Sequence, residues 1–178
     1  MSTLHIGDKA PGFQLQGVDR RTHSLEEFVG KPVLVVIFSC NHCPYVQAYE
    51  DRMKDIQRDY QTRGVQLIAI NSNDDVNYPE DGFNAMVERA NTKGFNFPYL
   101  RDAKQEVAKA YGATHTPQLF VFDQGRKLRY TGKIDDNWQN PGAVKKQYLR
   151  EAVDALLQGG APAEAETHAI GCTIKWAG

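Results

Sequence analysis

Residues 33–46 read VLVVIFSCNHCPYV. The first seven, Val33 to Ser39, are β-branched and apolar almost throughout, as in a strand buried on both faces of a sheet. From Pro44 onward the apolar positions Val46, Tyr49, Met53, Ile56 and Tyr60 step by three and four, the spacing of an amphipathic helix, which Gly64 closes. Residues 65–71, VQLIAIN, form a second buried-type strand. Strand, helix and strand make a βαβ unit with a parallel pair. The pattern Cys40-Asn41-His42-Cys43 falls at the turn from its first strand into its helix.

Outward from this unit, Gly7, Pro11 and Gly12 punctuate an irregular start with a short strand at residues 13–15. Residues 72–82 are rich in Asn, Asp, Pro and Gly and read as a loop. Phe83, Met86, Val87 and Ala90 predict a short helix. Residues 104–111 predict another, stopped by Gly112. Residues 118–122 and 127–131 flank the turn Asp123-Gln124-Gly125-Arg126 as a hairpin. Val144, Tyr148, Leu149, Ala152 and Leu156 mark a last helix that Gly159-Gly160 ends. The polar spacer APAEAE at 161–166 leads to a tail, 167–178, holding the third cysteine, Cys172. The expected organisation is a domain over 1–160, with the spacer and tail over 161–178.

A chain of 178 residues suits one domain with a real core. With 41% hydrophobic and 24% charged residues, it is not a disordered chain. Its 21 basic and 22 acidic residues leave a formal charge of −1, so no global field attracts nucleic acid or an anionic membrane. Three cysteines are too few for a disulfide-stapled scaffold. The first twenty residues lack a signal-length apolar core, and the longest apolar run is too short to span a bilayer. The expectation is a cytoplasmic protein without nucleic-acid or membrane partners. In that compartment a close cysteine pair is more often catalytic or metal-binding than structural.

A structural zinc site usually needs four protein ligands. There is no second C-x-x-C, and the five histidines show no ligand spacing, so neither metal nor other cofactor is expected. The redox reading rests on the helix N-terminus, whose free N–H groups and dipole stabilise a thiolate. Cys40 is expected there as the more acidic and more exposed thiol. Cys43, one turn away, can close a small disulfide ring. A protonated His42 would further stabilise the Cys40 thiolate and make the disulfide a stronger oxidant. Pro44 costs little in a first helical turn. Thr116-Pro117, ahead of the strand at 118–122, either marks a strand edge or, as a cis bond, exposes backbone for pairing with a substrate strand.

Taken together, Gly7-Asp-Lys-Ala-Pro-Gly-Phe13, the βαβ unit with its C-x-x-C, and Thr-Pro-Gln-Leu-Phe-Val-Phe at 116–122 resemble the thioredoxin fold. The front end is similar to the peroxiredoxin (AhpC/TSA) branch, and the likeness covers roughly residues 5–158. Cys-Asn-His-Cys-Pro-Tyr-Val with the terminal Gly-Cys-Thr-Ile-Lys-Trp resembles an uncharacterised peroxiredoxin-like group. The resemblance implies an α/β fold with a central mixed sheet, helices on both faces and a cis Thr116-Pro117 bond. By analogy it makes Cys40 the attacking thiol and Cys43 the resolving one.

Two features depart from the family pattern. Peroxiredoxins carry P-x-x-x-T-x-x-C, but here Val36 and Cys40, or Val33 and Ile37, stand at the proline and threonine. The buried carboxylate of thioredoxins is replaced by Leu34, leaving the proton acceptor for Cys43 open. Glu50 is roughly 10.5 Å along the helix axis, and His115 is a weak alternative. The acidic residues at 73–75 and 80–81 read as a solvated turn. Tyr45, Tyr49, Tyr60 and Phe83 read as core, and Trp138 and Trp176 as a surface near the pair.

In the tail, Ile170, Ile174 and Trp176 alternate in strand fashion, so one face can dock on the domain. Cys172 is then a buried filler under a patch-covering or dimer-forming tail, or a third redox cysteine exchanging with Cys40–Cys43. The expected function is thiol–disulfide exchange in redox homeostasis, with protein or small-molecule thiols and disulfides and an unidentified reductant as partners. A homodimer is compatible. The alternatives are a thiol-dependent peroxidase and a redox-sensing binding module without turnover.

Overall fold

The computed structural model describes residues 4–178. Its strands are β1 (Gln14–Gly17), β2 (Thr22–Ser24), β3 (Val33–Ser39), β4 (Val65–Asn71), β5 (Tyr99–Arg101), β6 (His115–Thr116), β7 (Gln118–Phe122), β8 (Leu128–Gly132) and β9 (Cys172–Thr173). The helices are α1 (Pro44–Tyr60), α2 (Phe83–Lys93), α3 (Glu106–Tyr111) and α4 (Tyr148–Leu157). Seven strands form one mixed sheet in the order β2-β1-β5-β4-β3-β7-β8, and β6 and β9 pair separately.

The run at 33–39 takes the centre of the sheet because neither of its faces tolerates water. It pairs parallel with β4, Val33 opposite Val65 and Ser39 opposite Asn71, and antiparallel with β7. Val33, Val35 and Ile37 meet Tyr49, Met53 and Ile56 of α1, Met86 of α2, and Leu149 and Val153 of α4. Leu34, Val36 and Phe38 face the other way, onto Ala108 and Tyr111 of α3 and onto Phe120 and Phe122. Every side chain of β3 is buried. The thioredoxin-like fold, a central mixed sheet with helices on both faces, is therefore as expected.

Gly64 ends the α1 segment in the left-handed region at φ 84°, where a Cβ would lie 2.6 Å from the Pro32 ring. The last helix requires a correction. It begins at Tyr148, not at Val144: residues Pro141–Ala143 form a short 3-10 turn and Val144 is extended. The amide of Leu149 donates to the carbonyl of Ile134, which fixes α4 against the loop after β8.

Beyond the spacer, the chain returns along the domain. Thr167 N–H donates to the Thr131 carbonyl, and the Thr167 hydroxyl bonds the Tyr130 hydroxyl at 2.7 Å. β9 then runs antiparallel to β6, Thr116 opposite Cys172 and His115 opposite Thr173. Ile174 is buried with the α3-side core, while Ile170 and Trp176 are exposed, so only part of the expected alternation is used. Among the described residues, no helix is long and apolar enough to cross a membrane.

Candidate redox site

β3 ends at Ser39, three residues bridge the gap, and α1 starts at Pro44 with Cys43 as its N-cap. The helix N-terminus thus serves Cys43, not Cys40, which corrects the placement read from the sequence. Its physical cause is Pro44, which is tolerated at the first helical position and sets where the helix begins. Nor is Cys40 the more exposed thiol: both cysteines are 2% exposed.

The connecting loop is held rigidly. Asn41 N–H donates to Asp81 Oδ1 at 2.7 Å, and its side-chain amide donates to the Glu80 carbonyl at 2.8 Å. Its Oδ1 accepts from Tyr99 Oη at 2.7 Å, and its carbonyl accepts from Gln47 at 2.9 Å. With every polar group of Asn41 engaged, the two cysteines flanking Asn41 and His42 are fixed from both sides.

The sulfur of Cys43 lies 2.7 Å from that of Cys172 and 3.5 Å from the Thr116 carbonyl oxygen, to which its neutral thiol can donate. Cys40 Sγ lies 3.5 Å from the Thr116 hydroxyl. All three cysteines are free thiols. The Cys43 thiol is lowered to about 4, chiefly because the Cys40 thiol donates to it. Burial opposes that shift, and Cys172 and the N–H groups of Val46 and Cys172 assist it. Cys40 is pushed far up because its thiol donates a hydrogen bond to Cys43, with burial and the Asp81 charge adding to this and the Thr116 hydroxyl opposing. Cys172 rises to about 11 through burial, its hydrogen bond to Cys43 and the charge there, partly offset by Lys175.

His42 Nδ1 is 2.8 Å from Asp81 Oδ2, and Nε2 is 3.6 Å from Glu80 Oε1, so two carboxylates flank the ring. Asp81 is entirely buried and also accepts from Asn71 at 3.2 Å and Asn73 at 3.0 Å. It therefore does not belong to a solvated turn, and the expectation for residues 80–81 is corrected there. Donor atoms of Cys40, His42 and Asp81 lie within 4.8 Å of one another. Asp81 is the functional candidate that the sequence reading missed. It supplies a buried carboxylate from the loop ahead of α2, while Leu34 keeps the strand position apolar.

Thr116-Pro117 is cis. Alternation along β6 turns Thr116 towards the sulfurs and His115 away. The His115 ring is instead 2.8 Å from the Thr114 hydroxyl. Glu50 is buried in an ion pair with Arg89. Tyr49 and Tyr60 are buried as expected, whereas Tyr45 and Phe83 are only partly so. Tyr45 packs against the Cys40–Cys43–Val46 cluster and holds Trp138 at a ring distance of 4.3 Å, whereas Trp176 stacks over Lys109.

A cysteine pair between a central strand and a helix, facing a cis-proline turn, defines a thioredoxin-fold thiol protein. The chain belongs to the AhpC/TSA family, whose pattern matches residues 6–131. It is similar to an uncharacterised conserved protein from Geobacillus kaustophilus, 41% identical, covering 99% of this chain and 94% of that one with a TM-score of 0.93. It is 29% identical to thiol-disulfide oxidoreductase ResA of Geobacillus thermodenitrificans over 72% of this chain and 69% of that protein. The thioredoxin domain of thiol-disulfide oxidoreductase BVU-2223 from Bacteroides vulgatus shares the fold at a TM-score of 0.60, with 16% identity over 71% of this chain and 86% of that domain. The kind of activity is that of an oxidoreductase.

Proposed function

We propose that the protein is a thiol–disulfide oxidoreductase in which Cys43 attacks and Cys40 resolves. The observation that carries this reading is the position of Cys43 at the cap of α1, where its sulfur accepts a hydrogen bond from the Cys40 thiol. It reverses the roles implied by the resemblance to thioredoxins. The Cys43 thiolate attacks a substrate disulfide R–S–S–R′, forming Cys43–S–S–R and releasing R′S⁻. Cys40, deprotonated, attacks the Cys43 sulfur, closing Cys40–Cys43 and releasing RS⁻. Two electrons pass from the dithiol to the substrate, and a reductant of thiol character restores the pair. In reverse, the oxidised pair accepts two electrons from a substrate dithiol. Asp81, with His42 beside it, is placed to take the Cys40 proton.

A low thiol pKa stabilises the reduced form and makes the disulfide oxidising. Partners are protein or small-molecule disulfides and thiols, and the setting proposed is the cytoplasm. Insulin-disulfide reduction by the intact protein, with alkylation of the Cys40→Ser and Cys43→Ser variants, tests the reading. The expected result is turnover that requires Cys43, with the mixed disulfide trapped on Cys43 when Cys40 and Cys172 are both serine. A mixed disulfide trapped only on Cys40 would overturn the assignment.

A further inference from the structure

The C-terminal tail brings a third sulfur to Cys43 from 129 residues away in sequence. Its placement is built by the fold at several points. Upstream, Thr167 is bound to Thr131, Tyr130 and Lys133. Downstream, Lys175 N–H donates to Asn73 Oδ1 at 2.9 Å, and its carbonyl accepts from Asp74 N–H at 2.7 Å and Gln105 Nε2 at 2.9 Å. Between these anchors, β9 takes the edge of β6, with Cys172 opposite Thr116. Gly171 passes so close to the cis-proline turn that a Cβ on it would sit 2.0 Å from the Thr116 oxygen. Covering a patch would not require a sulfur at the one register position that faces Cys43.

This placement bears on the same reaction, and the inference rests on the exchange chemistry proposed above. We infer that Cys172 is a second resolving thiol of this site, so that the tail works as a built-in disulfide partner of Cys43. In the resting dithiol state β9 covers the Thr116 edge and the Cys43 sulfur. A substrate disulfide reaches Cys43 when the span between the two anchors lifts, and Cys43–S–S–R forms with release of R′S⁻. The tail then returns. Cys172, deprotonated, attacks the Cys43 sulfur, forming Cys43–Cys172 and releasing RS⁻. The electron balance is that of any dithiol reducing one disulfide, and no further oxidant is needed.

Electrostatics follow the same order. While Cys43 is a thiolate, it holds the Cys172 proton and its charge opposes ionisation there. Once Cys43 is tied up in a mixed disulfide that charge is gone, so burial alone still opposes the Cys172 thiolate while Lys175 favours it. A disulfide bond is about 2.0 Å long, so sulfurs 2.7 Å apart need to move less than about 1 Å. The product also locks the tail over the edge, so the reductant must open Cys43–Cys172 before another substrate enters.

Glutathione disulfide serves as the probe. The reduced full-length protein and its Cys40→Ser, Cys172→Ser and Cys40→Ser/Cys172→Ser forms are mixed with it, quenched by alkylation and mapped by peptide mass. The expected products are a Cys43–Cys172 peptide in the unaltered protein and in Cys40→Ser. In Cys40→Ser/Cys172→Ser, glutathione should stay on Cys43 at least about tenfold longer than in Cys40→Ser. Mapping the unaltered protein needs no substitution and guards against a variant that fails to fold. If Cys43 takes up glutathione but only Cys40–Cys43 is found, and both Cys40→Ser forms hold it equally long, the inference about Cys172 is wrong while the exchange reading stands. If Cys43 takes up no glutathione in any form, both are wrong.

Discussion

The imidazole Nδ1 of His42 meets Oδ2 of Asp81 at 2.8 Å, although one residue lies within the C-x-x-C and the other in an acidic loop about forty positions on. Asp81 has no exposed surface, and its remaining lone pairs are taken by Asn41, Asn71 and Asn73. The Asp81 charge opposes ionisation of nearby Cys40, and with His42 beside it the carboxylate stands within reach of the Cys40 proton. The Asp81→Asn variant should therefore have two opposed effects. The Cys40 pKa, read by alkylation in a background with serine at 43 and 172, should fall. The rate at which Cys40 resolves a mixed disulfide in a Cys172→Ser background should fall too, by roughly ten- to a hundredfold. An unchanged Cys40 pKa with unchanged resolution would show that Asp81 only holds the loop.

The cysteines also set a pH dependence. The folded Cys43 thiol lies at about 4 because the Cys40 thiol donates to it, against an ordinary value of 9.0. Its contribution to the stability of the reduced protein is complete above about pH 9 and is lost as pH falls towards 4. Cys40 behaves oppositely. Raised by donating to Cys43 and by burial, it contributes fully below its ordinary value of 9.0 and loses that contribution at higher pH. The difference in urea stability between the reduced protein and Cys43→Ser should grow from pH 5 to pH 8. A difference independent of pH over that interval would mean that Cys43 is an ordinary thiol in the fold.

How much of this was legible in the chain depends on whether the cause is local. β3 and β4 match their sequence readings residue for residue, because a strand buried on both faces leaves a continuous apolar run. The end of the α1 segment is equally plain, since Gly64 is the residue that tolerates a left-handed turn against Pro32. Val144 misled because it continues the three–four spacing of α4 while sitting in extended chain after Pro141. The burial of Asp81 had no local signal. Its loop has the composition of a solvated turn, and only the meeting of β4, α2 and the C-x-x-C encloses it. Placing Cys40 at the helix terminus follows from its position directly after the strand, whereas Pro44 following Cys43 is the local clue to the true cap. Ile170, Ile174 and Trp176 alternate as in a strand, but only Ile174 is buried, and the edge the tail occupies and the sulfur it meets are set by tertiary packing.

Peroxide should be a poor substrate. Aligned on Cys43, the position of the peroxide-orienting threonine is Cys40 itself; aligned on Cys40, it is Ile37. Both cysteines are only 2% exposed, and Cys43 lies under the tail. A low pKa supplies the thiolate, but neither the orienting hydroxyl nor an open approach is provided. Stopped-flow oxidation by hydrogen peroxide should give a rate constant closer to that of a free thiol than to that of a dedicated peroxidase. Fast, Cys43-dependent peroxide consumption would instead place peroxidase chemistry ahead of disulfide exchange.

Gly171 offers a way to move the tail without touching a sulfur. A Cβ at this position would fall 2.0 Å from the Thr116 oxygen and 2.7 Å from its carbonyl carbon, both of them backbone atoms that cannot rotate aside. Gly171→Ala must therefore push β9 off the β6 edge, while the anchors at Thr167 and Lys175 keep the tail attached on either side. Two consequences follow from the geometry. Cys43 loses its cover, so its alkylation at pH 7 should quicken by about tenfold or more as the local opening cost disappears. Its thiolate also loses the hydrogen bonds from the Cys172 thiol and N–H, which raises its pKa, and loses burial, which lowers it, while the Cys40 donor keeps it below the ordinary 9.0. Because Cys43 with a pKa of about 4 is already a thiolate at pH 7, faster alkylation reports access to its sulfur. If Gly171→Ala leaves both the rate and the pKa unchanged, the tail does not cover Cys43 in solution.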